Sequence, residues 1–276
     1  MRRIIAVATL LAALVAPAGA TAQVTGDFGG GALRTLGSPF AAGNMVIGLS
    51  SADGSSVQVS ATVVAGCASG TFTVTAPVAP DGAFSAFGTV TQASVRTSYA
   101  LRGTLTDNPS GTVTARFARG AQRCSATGVQ WQARRAAPGY GLPAIVLPSA
   151  TLRGLSEQRH RGAPRGIVLR IAADGRRVSR AIYGVSMRCS DGSTSPAFDL
   201  PRDALDILAD GRVSDREEGT RHTRSTIMRY TERFAGTIGS EGAQGMFSAE
   251  LSVRRRATGK LIVRCRSGIV RWSASY

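Results

Sequence analysis

Histidine and lysine are almost missing: two histidines, His160 and His222, and one lysine, Lys260, stand in 276 residues. Nucleophilic catalysis by serine or cysteine ordinarily needs a base, most often histidine, oriented by a third group. Both histidines here sit among polar or basic neighbours. The chain also has no Gly-x-Ser-x-Gly elbow, no His-Glu-x-x-His helix and no phosphate-cradling glycine loop. It has no Cys-x-x-Cys pair, so cysteine and histidine lack the spacing of a zinc site. No catalytic residue, metal or cofactor is therefore expected. Aromatics are sparse and do not interleave with the basic clusters. That excludes the usual nucleic-acid modules and, with them, sequence-specific recognition of DNA or RNA.

Long apolar runs are also absent: beyond the amino terminus no segment reaches 18 consecutive apolar residues. No transmembrane segment is expected in the mature chain. Residues 1–22 read as a secretory signal peptide, with Arg2 and Arg3 as the basic start, Ile4 to Val15 as the apolar stretch and Ala20-Thr21-Ala22 as the cleavage motif. Cleavage after Ala20 fits almost as well. The apolar stretch is too short to cross about 30 Å of hydrocarbon as a helix. No cysteine follows either cleavage site, so no lipid anchor is expected there. The mature protein is expected to be soluble, secreted or held in the cell envelope.

What is present is a pattern stated twice. Ser51-Ala52-Asp53-Gly54 matches Ala172-Ala173-Asp174-Gly175, and Cys67 and Cys189 follow at nearly equal distances. Asp81-Gly82 matches Asp210-Gly211, Gly103-Thr104-Leu105 matches Gly236-Thr237-Ile238, and Gly111 matches Gly245. Each copy ends with Cys124 or Cys265 followed seven residues later by Trp131 or Trp272. Four cysteines in an exported chain read as two disulfides. Of the three connectivities, the duplication favours Cys67 with Cys124 and Cys189 with Cys265, one bond per copy.

Both copies are rich in Val, Thr, Ser, Ala and Gly, with turn dipeptides at short intervals. The expected fold class is all-β, two tandem antiparallel β-sandwich or small-barrel modules, each with one disulfide. Asp53-Gly54 lies between the apolar runs Met45 to Leu49 and Val57 to Val64, and Asp174-Gly175 between Ile167 to Ile171 and Val178 to Met187, which are hairpin signals. The expected organisation is a first module over 23–134, a linker over 135–148 and a second module over 149–276. In the linker, Leu142 to Leu147 is apolar enough to pack between the modules. Residues 23–33 are Gly-rich and expected to be mobile or a weak first strand. A helix is expected only at Pro201 to Leu208, where proline and acids open a short apolar run. Trp131 and Trp272 are expected as core aromatics, the alternative being a carbohydrate-stacking platform.

Charge separates the copies. Gln23 to Arg134 holds 7 arginines against 4 acids, whereas Ser149 to Tyr276 holds 23 basic residues against 13 acids. Such an excess attracts polyanions. The clusters Arg159-His160-Arg161 and Arg254-Arg255-Arg256 are the candidates, with Arg159, Arg161, Arg254, Arg255 and Arg256 as binding residues. The bland alternative is a generically basic, solvated surface from an arginine-rich codon bias. Asp203, Asp206, Asp210 and Asp215 could supply a hydrolytic carboxylate pair or a calcium site; turn and capping roles are the simpler reading.

The tail of Cys67, Cys124, Gly128 and Trp131, repeated as Cys189, Cys265, Gly268 and Trp272, resembles the modules of uncharacterised secreted proteins from high-GC actinobacteria. The similarity spans about 33 to 134 and 150 to 275, and it implies an exported tandem-module β protein. It assigns no activity. The sequence therefore points to a non-enzymatic secreted or envelope-associated binding protein. Its expected partner is an anionic cell-envelope polymer or another extracellular protein, as for an inhibitor or adhesin. A glycan hydrolase using carboxylates of the second module is the alternative.

Overall fold

A computed structural model describes residues 24–33, 42–92, 94–135, 146–199 and 204–276, with 195–199 as backbone. The signal peptide expected over 1–22 and most of the expected linker lie outside these residues. All regular structure within them is β.

The first sheet comprises β1 (Gly26–Ala32), β2 (Met45–Ser51), β3 (Ser56–Val64), β4 (Ser69–Pro77), β5 (Ala83–Gln92), β6 (Val95–Thr104), β7 (Ser110–Arg119) and β8 (Gln122–Arg135). The second comprises β9 (Thr151–His160), β10 (Ala163–Ile171), β11 (Arg177–Cys189), β12 (Thr194–Asp199), β13 (Leu205–Asp206), β14 (Arg212–His222), β15 (Thr226–Ile238), β16 (Gly242–Arg255), β17 (Leu261–Arg266) and β18 (Val270–Ser275).

Turn chemistry sets the strand boundaries. Asp53, Asp81, Asp174 and Asp210 each accept the backbone N–H two residues on, at 2.9 to 3.1 Å. The glycine that follows each one takes a left-handed φ between 67° and 83°, which a side chain would strain. The two Asp-Gly hairpins read from sequence are β2–β3 and β10–β11.

The first sheet runs β4-β3-β2-β1-β8-β7-β6-β5, antiparallel throughout. Its ends, β4 and β5, meet through a bridge between Val78 and Phe84 at one end. At the other end the Thr71 N–H donates to Gln92 Oε1 at 3.4 Å. One sheet thus curls into a nearly closed barrel rather than two stacked sheets. Inside it Phe72 stacks on Tyr99 with centroids 3.9 Å apart, amid Phe28, Ile47, Leu101 and Phe117.

The second sheet winds the same way, β12-β11-β10-β9-β18-β16-β15-β14, with one change in its last strand. Where β8 is continuous, the second module breaks between β17 and β18 at Gly268, whose φ is 70°. The freed β17 pairs with β16 on one side and with the end of β11 on the other. This brings Cys189 directly opposite Cys265, Cα atoms 3.9 Å apart, in a disulfide. Cys67 bonds Cys124 in the first module.

Both barrels bury a tryptophan over two glycines. Gly103 pairs with Gly111 and Gly111 with Trp131, just as Gly236 pairs with Gly245 and Gly245 with Trp272. A Cβ on any of the four glycines would stand 2.7 to 2.8 Å from the indole Cζ2. Each ring occupies the volume that two side chains would otherwise claim.

The barrels pack on each other through β1 and β2 against β9 and β10. Glycine makes this seam possible, since a Cβ on Gly29 would lie 2.1 Å from the Gly154 oxygen and one on Gly48 only 1.7 Å from the Pro164 oxygen. Val46, Val168 and Ile182 form a small apolar cluster there. Beside it Arg165, 1% exposed, donates to Ser60 Oγ at 3.2 Å and Thr62 Oγ1 at 3.3 Å, both in the first module. Burial lowers its pKa to about 10.

Of the two readings of the Gly-rich residues 23–33, the first strand is the one formed, and it is a buried central strand, β1, held between β2 and β8. The expected helix at 201–208 is not formed over its described part: Leu205–Asp206 is a short strand on β11, because Leu205 buries itself opposite Val178. Residues 201–203 lie outside the described set.

Candidate polyanion-binding surface

Two hairpins, β14–β15 and β16–β17, lie side by side at one end of the second module. The register Thr226 to Arg255 and Ile227 to Arg254 joins them. At the tips the Arg256 N–H donates to the Ser225 oxygen at 2.8 Å, and Arg256 Nη1 reaches the Thr223 oxygen at 3.3 Å. Thr223 Oγ1 orders its turn by accepting the Thr226 N–H at 2.9 Å. Arg254 Nη1 donates to the Gly259 oxygen at 3.0 Å. These bonds fix the tips while leaving most guanidinium N–H groups facing solvent.

Toward the tips the charge is of one sign. Residues 219–229 and 251–264 contain Arg221, Arg224, Arg229, Arg254, Arg255, Arg256, Lys260 and Arg264, with no Asp or Glu. Among the described residues, only Arg264 of this set forms an ion pair, to Glu250 at 3.2 Å. Two open depressions divide the arginines. One, of about 260 Å³, is lined by Arg229, Arg254 and Arg264 with Thr231, Ser252, Leu251 and Leu261, and by one acid, Glu250, at its inner side. The other, of about 770 Å³, is lined by Arg224, Arg255 and Arg256 with Ser225, Thr226 and Ile262.

Strand geometry sets the spacing. Ser252 stands between Arg229 on β15 and Arg264 on β17, so their Cα atoms are about 10 Å apart, two strand spacings. Arg254 follows two residues along β16, about 7 Å further. Several guanidinium groups at such intervals, with hydroxyls between them, suit repeated anionic groups better than a single small ion.

The structure places the two candidate arginine clusters differently. Arg254, Arg255 and Arg256 form the hairpin end. Arg159 and Arg161 sit at the β9–β10 turn in the seam, where Arg159 pairs with Asp27 and the Arg161 carbonyl accepts from Gln58 Nε2. Those two hold the modules together and share neither depression. The arginine triplet is visible in the sequence, but Arg224, Arg229, Lys260 and Arg264 join it only through strand pairing. Counting charge along both hairpins would have found them.

The remaining candidates have structural surroundings. Trp131 is 1% and Trp272 3% exposed, which denies a sugar any stacking face. Asp210 is a turn acid whose carboxyl is held below the ordinary range first by the Arg212 N–H. Asp206 lies in β13, and Asp203 lies outside the described residues. Asp215 faces Phe234 across β14–β15. On the same inward side Glu217 stands opposite Glu232, and Tyr230 donates to Glu217 Oε1 at 3.0 Å. His160 is half-buried, and burial, then Arg165 and Arg161, lower its pKa to about 4, so it is neutral at neutral pH.

No family model matches the chain, and no curated protein does. Among solved structures, a kievitone hydratase from Nectria haematococca is 7% identical over 92% of this chain and 90% of that one, with a TM-score of 0.24. A candidate AttH from Nitrosomonas europaea is 9% identical over 90% of this chain and 91% of that one, with a TM-score of 0.23. Likeness at this level sets no constraint on activity.

Proposed function

We propose that the protein is an extracytoplasmic, non-enzymatic binding protein that holds an anionic cell-envelope polymer at the hairpin end of its second module. The observation that carries this reading is the concentration of eight basic side chains, with no acid among residues 219–229 and 251–264, toward the tips of two fused hairpins whose acids, Glu250 among them, lie further back along the strands. The two disulfides fit an oxidising compartment, where such bonds persist. Phosphate and sulfate groups match guanidinium geometry in two-point hydrogen bonds, and the arginine excess makes this the preferred cation here.

Retention on immobilised dextran sulfate tests the reading. Wild type should elute only at raised salt, because each neutralised anionic group releases counterions. Replacing Arg254, Arg255 and Arg256 by alanine should lower the slope of log affinity against log salt by about 2 to 3, close to one per lost contact. Equal elution of wild type and variant would reject this site. A second reading, a glycan hydrolase, draws on Glu217 facing Glu232 beside Tyr230. A Glu217→Gln variant that abolished release of sugar from an envelope glycan would favour it.

A further inference from the structure

We infer that the β16–β17 hairpin docks on an anionic lipid surface, with Leu261 and Ile262 entering the headgroup boundary between the arginines. The inference rests on the reading of this end as a polyanion site and goes beyond it in naming a bilayer as ligand. Its basis is the pairing of charge with exposed aliphatic surface. Leu261 is 42% and Ile262 52% exposed, directly after Lys260. Leu261 lines the depression of Arg229, Arg254 and Arg264, and Ile262 lines that of Arg224, Arg255 and Arg256. Each basic depression therefore holds one exposed aliphatic side chain, Leu261 in the first and Ile262 in the second, with the half-buried Leu251 beside Leu261.

Local backbone geometry keeps them there. Val253 pairs with Val263 and Arg254 with Leu261, so Ile262 is the extra residue of a β-bulge. A bulge re-aims side chains at a strand end, and this one leaves Ile262 outside the ladder. A soluble polyanion has nothing to offer such groups, since it brings charge and water. The interface of an anionic bilayer offers both terms, headgroup phosphates for the arginines and acyl boundary for the two aliphatics. The β16–β17 turn, closed by the Arg255 N–H on the Lys260 oxygen and the Gly259 N–H on the Arg255 oxygen, each at 2.8 Å, keeps Leu261 and Ile262 beside Arg254 and Arg255.

The test uses the full-length mature protein and two probes, vesicles and immobilised dextran sulfate. Vesicles of equal parts phosphatidylglycerol and phosphatidylcholine should carry wild type through flotation, and vesicles of phosphatidylcholine alone should not. Replacing Arg254, Arg255 and Arg256 by alanine should weaken vesicle partitioning about 100-fold, near five-fold per arginine, and should weaken retention on dextran sulfate too. A Leu261→Ser, Ile262→Ser variant should lose about 10-fold on vesicles and nothing on dextran sulfate. Both positions are solvent-exposed, and an unchanged melting temperature confirms that this variant folds. Vesicle binding by the serine variant equal to wild type overturns the lipid inference. So does a wild type that binds dextran sulfate and ignores anionic vesicles, an outcome that leaves the polymer reading standing. Failure on both probes removes the two together.

Discussion

Gly48→Ala isolates the seam between the modules. Gly48 has an ordinary strand backbone, since it is not among the positive-φ glycines. Alanine in mid-strand would normally be better than glycine by about 0.5 to 1 kcal/mol, through the unfolded chain. The sign is reversed by what faces it: a Cβ would lie 1.7 Å from the Pro164 oxygen and 2.6 Å from the Pro164 carbonyl carbon. Real Cβ contacts essentially never fall below 3.0 Å, so β2 and β10 must part by at least the difference, 1.3 Å. A radial gap of about 0.5 to 1 Å already forfeits a quarter to a half of a dispersion contact. Val46, Val168 and Ile182, fully buried across the seam, would lose that much with their neighbours. The Arg165 bonds to Ser60 and Thr62, at 3.2 and 3.3 Å, would lengthen past hydrogen-bond range. Overpacking of this kind costs about 1 to 3 kcal/mol, and a rigid backbone partner puts it at the upper end, about 3 kcal/mol. At roughly 2 to 4 °C per kcal/mol for a chain of this size, the melting temperature should fall by about 6 to 12 °C. Urea unfolding gives the free energy directly, and limited proteolysis at the β9–β10 turn reports the seam opening. A melting temperature equal to or above that of wild type would refute the close approach of β2 to β10.

Other perturbations follow from the same geometry. Removing both Cys189 and Cys265 as alanine should cost about 4 kcal/mol through loop entropy, the bond closing a separation of 76 residues; urea midpoints of oxidised wild type and variant measure it. Trp272→Ala should cost about 3 to 5 kcal/mol, because the indole fills the space over Gly236 and Gly245. A loss under 1 kcal/mol would mean that the barrel collapses onto the glycines. His160 takes up its proton near pH 6.5 when unfolded but only near 4 when folded. Its contribution to stability is therefore complete above pH 6.5 and lost as pH falls from 6.5 to 4. His160→Gln should flatten the urea midpoint between pH 7 and 5, and an unchanged pH profile would exclude the histidine as its source.

Local features were legible because local chemistry decides them. Asp-Gly between apolar runs permits one kind of turn, and Asp53 and Asp174 make it. Two cysteines per copy, each near the same landmarks, left little doubt about which would be neighbours. The seam was not legible, because a glycine needed for close approach looks in sequence like a glycine needed for nothing. Gly29, Gly48 and Gly166 acquire meaning only when a second backbone stands against them. Likewise Pro201 to Leu208 carries a helix-start pattern, yet Leu205 gains more by burial on Val178 than an isolated turn of helix could offer. An eight-residue helix is marginal without tertiary support.

The basic end was half legible for a related reason. Arg254, Arg255 and Arg256 are consecutive and so visible, but Arg254 and Arg255, the last two residues of β16, point to opposite faces, and Arg256 lies in the turn that follows. The triplet is divided between two depressions, and each is completed from elsewhere in the chain, one by Arg229 on β15 and Arg264 on β17, the other by Arg224 in the β14–β15 turn. The first module supplies a contrast. Its end strands β4 and β5 carry no charged residue, and their ends are tied together, so an uncharged edge is tolerable there. The second module's β14 is an edge strand that carries Arg212, Asp215, Arg216, Glu217, Glu218 and Arg221. Mixed charge of that kind blocks pairing with foreign strands. Protection of the edge therefore accounts for the charges along β14 up to Glu218. It does not account for the acid-free stretch from Gly219 onward, where β14 stays paired to β15 as far as His222 opposite Ile227 and charge of one sign only raises the cost of folding. Charge of one sign gives no such mixed-charge protection, and its retention there is the reason we propose an anionic partner outside the fold.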